Sequence, residues 1–460
     1  MKFTRPYLYS EIVEQTRLVL PVLLAQLAQM SLGVVDTIMT GRYSAEDMAA
    51  VALAWAVWIP GLLFGVGMVI AVTPAVGHLR GAGRASSEEL RQVVSQGIWL
   101  ALLLSLPLSA SMYFLSFHLD LFGLDDVLAG IGGGYLRAII WGGPAALIYT
   151  AIRSALEGFA RVRPAMFASF VALAVNIPCN YAFIFGRFGA PELGGVGAGV
   201  ASAVTCWSML VPLVCYALAE PHLRAALLRF EPPRIRPLYR LASVGLPNAL
   251  ATVNEVAAFS VVTLMVAPLG SIQVAGHQVA LNFSSLIFIL PLSIGMAATI
   301  RVSNALGGSD AGMVRRATRT ALGLGLGLSF ATAFVTVVFR YPIAGIYNSN
   351  TEVIRLATVL LLIDASYQFT DSLQCISVGI LRAYNDTRAI FTVTFICFWF
   401  ITVPLAWILG RTSLLLPAMG PKGLWIALVV GLSLAACCYL FRIRSLERRH
   451  LSPDRQSSAL

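Results

Sequence analysis

Ala357-Thr-Val-Leu-Leu-Leu-Ile-Asp364-Ala-Ser-Tyr367-Gln-Phe-Thr-Asp371-Ser-Leu-Gln374-Cys-Ile-Ser-Val-Gly-Ile-Leu381 is long and apolar enough to cross a bilayer, which takes about 20 residues. It nevertheless carries two carboxylates. An ionisable group at the bilayer centre costs at least ~2.5–3.5 kcal/mol, so two in one span require a reason. As a helix, the run sets Asp364, Tyr367, Asp371 and Gln374 three, four and three residues apart, on one stripe. Such a stripe has to face protein or a water-filled cavity, not lipid. Interhelical hydrogen bonding alone is the plainer reading, but Ser, Thr or Asn would serve it without the cost of a charge. The stripe is read as a cation site or proton relay.

Composition sets the class. The chain has 460 residues, 58% of them hydrophobic and only 12% charged, with a mean hydropathy of +0.80. Soluble domains carry ~25% charged residues, so this is a polytopic membrane protein. Glu11, Glu14 and Arg17 precede the first apolar run, which is itself long enough to span, so no cleavable signal peptide is expected. The net charge of +10 reflects Arg gathered in alternate loops, a determinant of topology and not a nucleic-acid surface. Seven Cys (Cys179, Cys206, Cys215, Cys375, Cys397, Cys437, Cys438) lie in apolar runs without metal or disulfide spacing, and five His are scattered. With no Gly-x-Ser-x-Gly, no His-Glu-x-x-His and no His near a membrane carboxylate in sequence, the chain is not read as an enzyme.

Apolar stretches fall at roughly 14–40, 48–76, 92–117, 127–152, 164–186, 195–219, 239–268, 273–300, 314–339, 353–380, 389–410 and 421–442. Twelve spans follow. One side of the membrane collects Arg80, Arg84 and Arg91, then Arg224, Arg229, Arg234, Arg236 and Arg240, and finally Arg442, Arg444, Arg448, Arg449 and Arg455. The other side has only Arg42, Arg187, Arg340, Arg355, Arg411 and Lys422, with Arg137 inside a span near it. Both termini are therefore placed in the cytoplasm. A shift of 226 residues aligns Leu20-Pro21 with Leu246-Pro247, Leu24-Ala25 with Leu250-Ala251, and Gly81 with Gly307. Two parallel six-span repeats are expected, a plan that commonly encloses a midplane site. The division drawn is 1–219 as the first bundle, 220–238 as a cytoplasmic linker, 239–442 as the second bundle and 443–460 as a cytoplasmic tail.

Other spans carry polar groups too. Gln26, Gln29, Gly33 and Asp36 share a face of the first, with Asp36 in its outer third, and Asn176 and Asn180 flank Pro178 in the fifth at a similar depth. Glu255 lies mid-span in the seventh, with no basic residue embedded in that span, and the eighth presents Gln278, Asn282 and Ser285 on one face. Under the repeat Glu255 matches Gln29 and Asp36 matches Val262, so the halves differ in polar content. Arg153, Arg161, Arg163, Arg382 and Arg388 are read as headgroup anchors near span ends, with Glu157 in a local ion pair one turn from Arg153 and Arg161.

Val35-Asp36-Thr37-Ile38-Met39-Thr40-Gly41 with Ala49-Ala-Val-Ala-Leu53 resembles the first-span signature of the MATE (multidrug and toxic compound extrusion) transporters, NorM-like branch. Asn176-Ile-Pro-Cys-Asn180-Tyr-Ala-Phe, Glu255 before Ala-Ala-Phe, Arg301-Val-Ser-Asn-Ala-Leu-Gly307, and Asp371-Ser-Leu-Gln-Cys ahead of Leu381-Arg382-Ala-Tyr extend the similarity over about 15–440. The resemblance implies an all-α fold of twelve transmembrane helices in two pseudo-symmetric six-helix bundles, in the bacterial cytoplasmic membrane. It implies efflux of lipophilic organic cations, drugs and dyes among them, in exchange for Na+ or H+, by a monomer with no cofactor and no nucleic-acid partner. Glu255, Asp371 and Tyr367 would form the coupling site and hold Na+ if sodium is the ion, with Asp36 the coupling acid of the first half. Asn176 and Asn180 would complete the polar cluster with Asp36, and Gln278 would contact substrate; apart from the resemblance, Asp364 is read as a supporting acid and Asn282, Gln29 and Phe259 as substrate contacts. Asp364 lies outside the family motif, and counting depth along the spans puts it nearer Glu255 than Asp371, leaving open which Asp partners Glu255. A flippase for a lipid-linked sugar carrier is the alternative; its pyrophosphate would call for embedded Arg or Lys, and Arg137 is the one candidate well inside a span.

Overall fold

The computed structural model describes residues 5–122, 125–414 and 417–450. Among them the regular structure is helical throughout, and twelve helices are long and apolar enough to cross a membrane. They are α1 (Tyr9–Tyr43), α2 (Ala45–Gly81), α3 (Glu88–Leu115), α4 (Asp126–Gly158), α5 (Arg163–Phe185), α6 (Gly195–Ala219), α7 (Ile235–Leu269), α8 (Ser271–Gly307), α9 (Ala311–Tyr347), α10 (Thr351–Ala383), α11 (Thr387–Arg411) and α12 (Pro421–Arg449). Helix starts follow local chemistry. Ser44, Ser87, Asp125, Asp310 and Asn350 each accept a bond from a backbone N–H of the first turn, satisfying donors that have no intrahelical partner. Several helices run past the apolar stretch that announces them, and helix continues to His450, where a tail from 443 is expected. Its Leu, Arg and Glu are good helix formers, and the Arg suit a helix C-terminus. The remaining residues of that tail, 451–460, lie outside the described ones.

Large apolar side chains turn outward, among them Leu106 (67% exposed), Leu264 (70%), Phe330 (67%) and Phe334 (68%). A water-soluble surface does not carry such a band; a lipid-facing one does.

The helices pack as two compact units, one of Leu20–Ala249 and the other of Met1–Val19 with Leu250–Leu460. The changeovers fall inside α1 and α7, whereas the division drawn from sequence changes at 220–238. That segment is no loose tether. Pro221–Leu228 is a short helix with Leu223 and Ala226 buried. Gln96 Nε2 and Trp99 Nε1 of α3 donate to the carbonyls of Pro232 and Glu231, each at 2.9 Å.

In the Leu20–Ala249 unit, Arg153 is not the headgroup anchor expected. It is buried with Glu157, Nε to Oε1 3.4 Å, and its guanidinium lies 5.8 Å from the Tyr149 ring. Arg161 reaches Glu220 instead, at 3.8 Å. A position one turn from a span end therefore still lies within the packed interior where neighbouring helices cover it.

In the other unit, α8 and α10 pack backbone to backbone at Gly295 and Gly379. A Cβ on Gly379 would collide with the Gly295 carbonyl, and Thr299 Oγ1 donates to the Gly379 carbonyl at 2.8 Å. Gly379→Ala is expected to cost about 1–3 kcal/mol through overpacking, read as a lower melting temperature of the purified protein. An unchanged melting temperature would mean that α10 is free to shift there.

Candidate functional site

Each unit holds its own acid group. In the Leu20–Ala249 unit, α1 supplies Asp36, α5 supplies Asn176 and Asn180, and α6 supplies Ser202. Asn176 and Asn180 are one turn apart and both buried, so their amides converge. Both Nδ2 atoms donate to Asp36 Oδ1, at 3.0 and 2.6 Å, and Ser202 Oγ donates to Oδ2 at 3.1 Å. Asn180 Nδ2 also bonds Asn176 Oδ1 at 3.0 Å. The carboxylate is held by three neutral donors and forms no ion pair among the described residues. The predicted trio comes together, and Ser202 completes it. No sequence signal marked Ser202, one hydroxyl in a Gly/Ala/Val-rich run. Gln29 is half-buried and donates to Ser169 Oγ at 3.1 Å, a bond within the unit.

In the other unit the stripe on α10 is present and turned inward: Asp364, Tyr367, Asp371 and Gln374 are all buried. Tyr367 O–H donates to Asp371 Oδ1 at 3.5 Å, a long bond. The Tyr367 ring meets Trp425 of α12 edge-on at 5.8 Å. Trp425 Nε1 donates in turn to His277 Nδ1 at 3.1 Å, and His277 Nε2 lies 3.3 Å from Thr263 Oγ1. Both nitrogens of this buried His are therefore in use, and it serves as a brace behind Tyr367 and not as a ligand. Its scattered position in sequence gave no hint of this.

Glu255 meets neither Asp directly. Its Oε1 accepts from Gln374 Nε2 at 3.4 Å, so it sits one turn beyond Asp371, on the side away from Asp364. Depth counting along the spans is corrected here. The ends of α7 and α10 fall within four residues of the apolar stretches read from sequence, so span length does not explain the difference; the contact with Gln374 alone places Glu255 beside Asp371. Arg382, expected at the headgroups, is half-buried and near enough to Glu255 for their charges to interact.

Asp364 belongs to a different neighbourhood. Gln368, on the same helix face one turn on, donates from Nε2 to Asp364 Oδ2 and to Thr336 Oγ1, each at 2.9 Å. The four-residue spacing could have flagged Gln368. A cavity between α8, α9 and α10, lined by Ser284, Ser329, Thr332, Gln368, Asp371 and Ser372, adjoins it.

Gln278 and Asn282 share an exposed side of α8, with Asn282 Nδ2 bonded to the Gln278 carbonyl at 2.9 Å. Amides at this depth suit a watered cavity better than lipid. Phe259 is half-buried against Phe398, centroids 5.8 Å apart, where α11 widens into a π-helical turn over Ile396–Thr402.

The MatE family model matches residues 21–182 and again 247–408, the same 226-residue spacing as the internal repeat. Multidrug resistance protein MdtK of Edwardsiella ictaluri is 45% identical over 435 residues, covering 94% of this chain and 95% of that protein. MdtK of Yersinia pseudotuberculosis is 45% identical over 436 residues with the same coverage. Among solved structures, the Vibrio cholerae MATE transporter VcmN in its bent form superposes with a TM-score of 0.85 at 20% identity, covering 97% of this chain and all of that one. The eukaryotic MATE transporter AtDTX14 gives 0.83 at 20% identity, covering 96% and 98%. At such identity the structures speak for the fold.

Proposed function

The chain belongs to the MatE family, and from that premise we propose that it is a secondary-active multidrug efflux transporter. It exports lipophilic organic cations in exchange for Na+ or H+. It is a multi-pass protein of the bacterial inner membrane, and the asymmetry of its loop Arg supports cytoplasmic termini. It works as a monomer, each six-span half contributing an acid group.

One observation carries the reading: Asp371 is buried within a membrane-spanning helix, met by a phenol, and forms no ion pair among the described residues. A buried charge has to be balanced, and here the balance is left to mobile cations. Glu255, one turn away through Gln374, adds a second carboxyl whose charge Arg382 partly offsets, leaving Asp371 as the acid that mobile cations have to balance. A drug cation drawn to this acid and a coupling cation arriving at Glu255, Asp371 and Tyr367 compete for the same charge, so loading one favours release of the other. Asp36, with Asn176 and Asn180, offers the first half the same choice between an ionised and a neutralised acid. Gln278, Asn282 and Phe259 in the one half, and Gln29 in the other, each provide amide or aromatic surface that suits a lipophilic cation.

Reconstitution into liposomes tests this. With the Na+ and pH gradients imposed separately, one of them is expected to drive efflux of a fluorescent organic cation. Transport indifferent to both gradients would end the antiport reading. A flippase is not favoured: Arg137 lies 5.0 Å from the Phe117 ring and Arg153 pairs with Glu157, so neither is held ready for a pyrophosphate.

A further inference from the structure

Asp364 is fully buried in the middle of α10. No Lys or Arg among the described residues forms an ion pair with it. Gln368 Nε2 bonds both Asp364 Oδ2 and Thr336 Oγ1, so both amide hydrogens are used and the amide's orientation is fixed. Two oxygens remain that accept no hydrogen bond, Asp364 Oδ1 and Gln368 Oε1, in side chains that are 0% and 4% exposed. The Ser284 hydroxyl of α8 is near the carboxylate but outside hydrogen-bonding geometry with Oδ1.

A buried carboxylate without countercharge is costly, and each orphaned acceptor adds to the cost. Both costs vanish together if a cation sits against these oxygens. We propose that Asp364, Gln368 and Ser284 form a binding site for a small monovalent cation of the sodium class, separate from the group at Asp371. The class follows from the donors. All three are hard oxygens, which suit an alkali or alkaline-earth ion better than a thiophilic metal. One carboxylate with two neutral oxygens balances a single positive charge; a divalent ion would leave net charge in a medium that does not tolerate it.

The site is distinct by position. Asp371 lies seven residues further along α10, about 10 Å at the helical rise. The charged and titratable groups that act across this space are Asp371 and Tyr367 of α10 and Glu255 of α7, while α8 and α9 present the hydroxyls of Ser284 and Thr336. The cavity that shares Ser284 and Gln368 with this site has Asp371 in its wall. The inference does not depend on drug efflux.

The test is thermal unfolding of the full-length protein in detergent, with NaCl replaced by choline chloride at constant ionic strength. In a Glu255→Gln/Asp371→Asn variant, which lacks the other two acids, Na+ is expected still to raise the melting temperature saturably. Adding Asp364→Asn should abolish that rise, and MgCl2 should not reproduce it. Should Asp364→Asn fail to fold, Ser284→Ala in the same background is expected to raise the half-saturating Na+ concentration about threefold to tenfold. Stabilisation already lost in the double variant, or unchanged by both Asp364→Asn and Ser284→Ala, overturns the proposal. So does stabilisation that follows pH and ignores Na+, which would make Asp364 a proton carrier. Loss of gradient-driven efflux with intact Na+ stabilisation would count against the transport reading alone.

Discussion

Asp371→Asn is expected to cut gradient-driven efflux of an organic cation from proteoliposomes by roughly 5- to 150-fold, the span that a coupling energy of ~1–3 kcal/mol represents. The same substitution should leave the melting temperature unchanged or raise it. The two signs follow from one cause. Asp371 is buried beside a phenol and forms no ion pair among the described residues, so its charge costs the fold desolvation energy that nothing permanent in the protein repays. An amide of the same shape removes that cost together with the attraction for either cation. A purely structural acid would behave in the opposite way, losing stability first and transport in proportion. Tyr367→Phe should be milder, about 2- to 12-fold, because the 3.5 Å hydroxyl contact is one weak bond of ~0.5–1.5 kcal/mol. Wild-type efflux by Asp371→Asn would remove the coupling role from this residue, and a large stability loss would make it structural.

The parts of this arrangement that repeat with helical period were legible in the sequence. Asp364, Tyr367, Asp371 and Gln374 share a face because 3.6 residues make a turn, and burial of all four follows from the cost of showing them to lipid. Span depth put Asn180 near the level of Asp36, and the family resemblance supplied the expectation that Asp36 meets Asn176 and Asn180. The internal repeat was readable as a constant shift. Hydroxyl partners were not readable. Ser202 and Ser284 look like the many Ser and Thr of these helices that bond back to their own carbonyls, as Ser285 and Thr299 do at 2.8 and 3.0 Å. The level of Glu255 was also hidden: it lies 14 residues from the nearer end of α7 and Asp364 lies 13 from the nearer end of α10, so counting pairs those two, whereas the contact of Glu255 is with Gln374. Arg153 shows the same limit from the other side: a span end in sequence was interior in space.

The start of α1 supplies the second large effect. Glu11 and Arg301 form a bidentate pair, Nε to Oε1 3.0 Å and Nη2 to Oε2 2.6 Å, with Glu11 buried. One turn along, Gln15 Nε2 donates to the Ala317 carbonyl of α9 at 2.8 Å. These contacts hold the first turns of α1 to α8 and α9 within their unit, although α1 from Leu20 onward belongs to the other. Glu11→Gln should lower stability by about 3–5 kcal/mol, because it strands a largely buried guanidinium without a countercharge. Arg301→Met alone should cost a similar amount by stranding the carboxylate. Combining the two should recover much of the loss, since no unpaired charge remains and the Met fills the volume of the Arg stem. The measurement is a double-mutant cycle on melting temperature in detergent. Additive losses would show that the two groups act separately, and that the start of α1 is held by Gln15 and apolar packing instead. A large negative coupling would identify this ion pair as the tie that fixes the first turns of α1 to their unit.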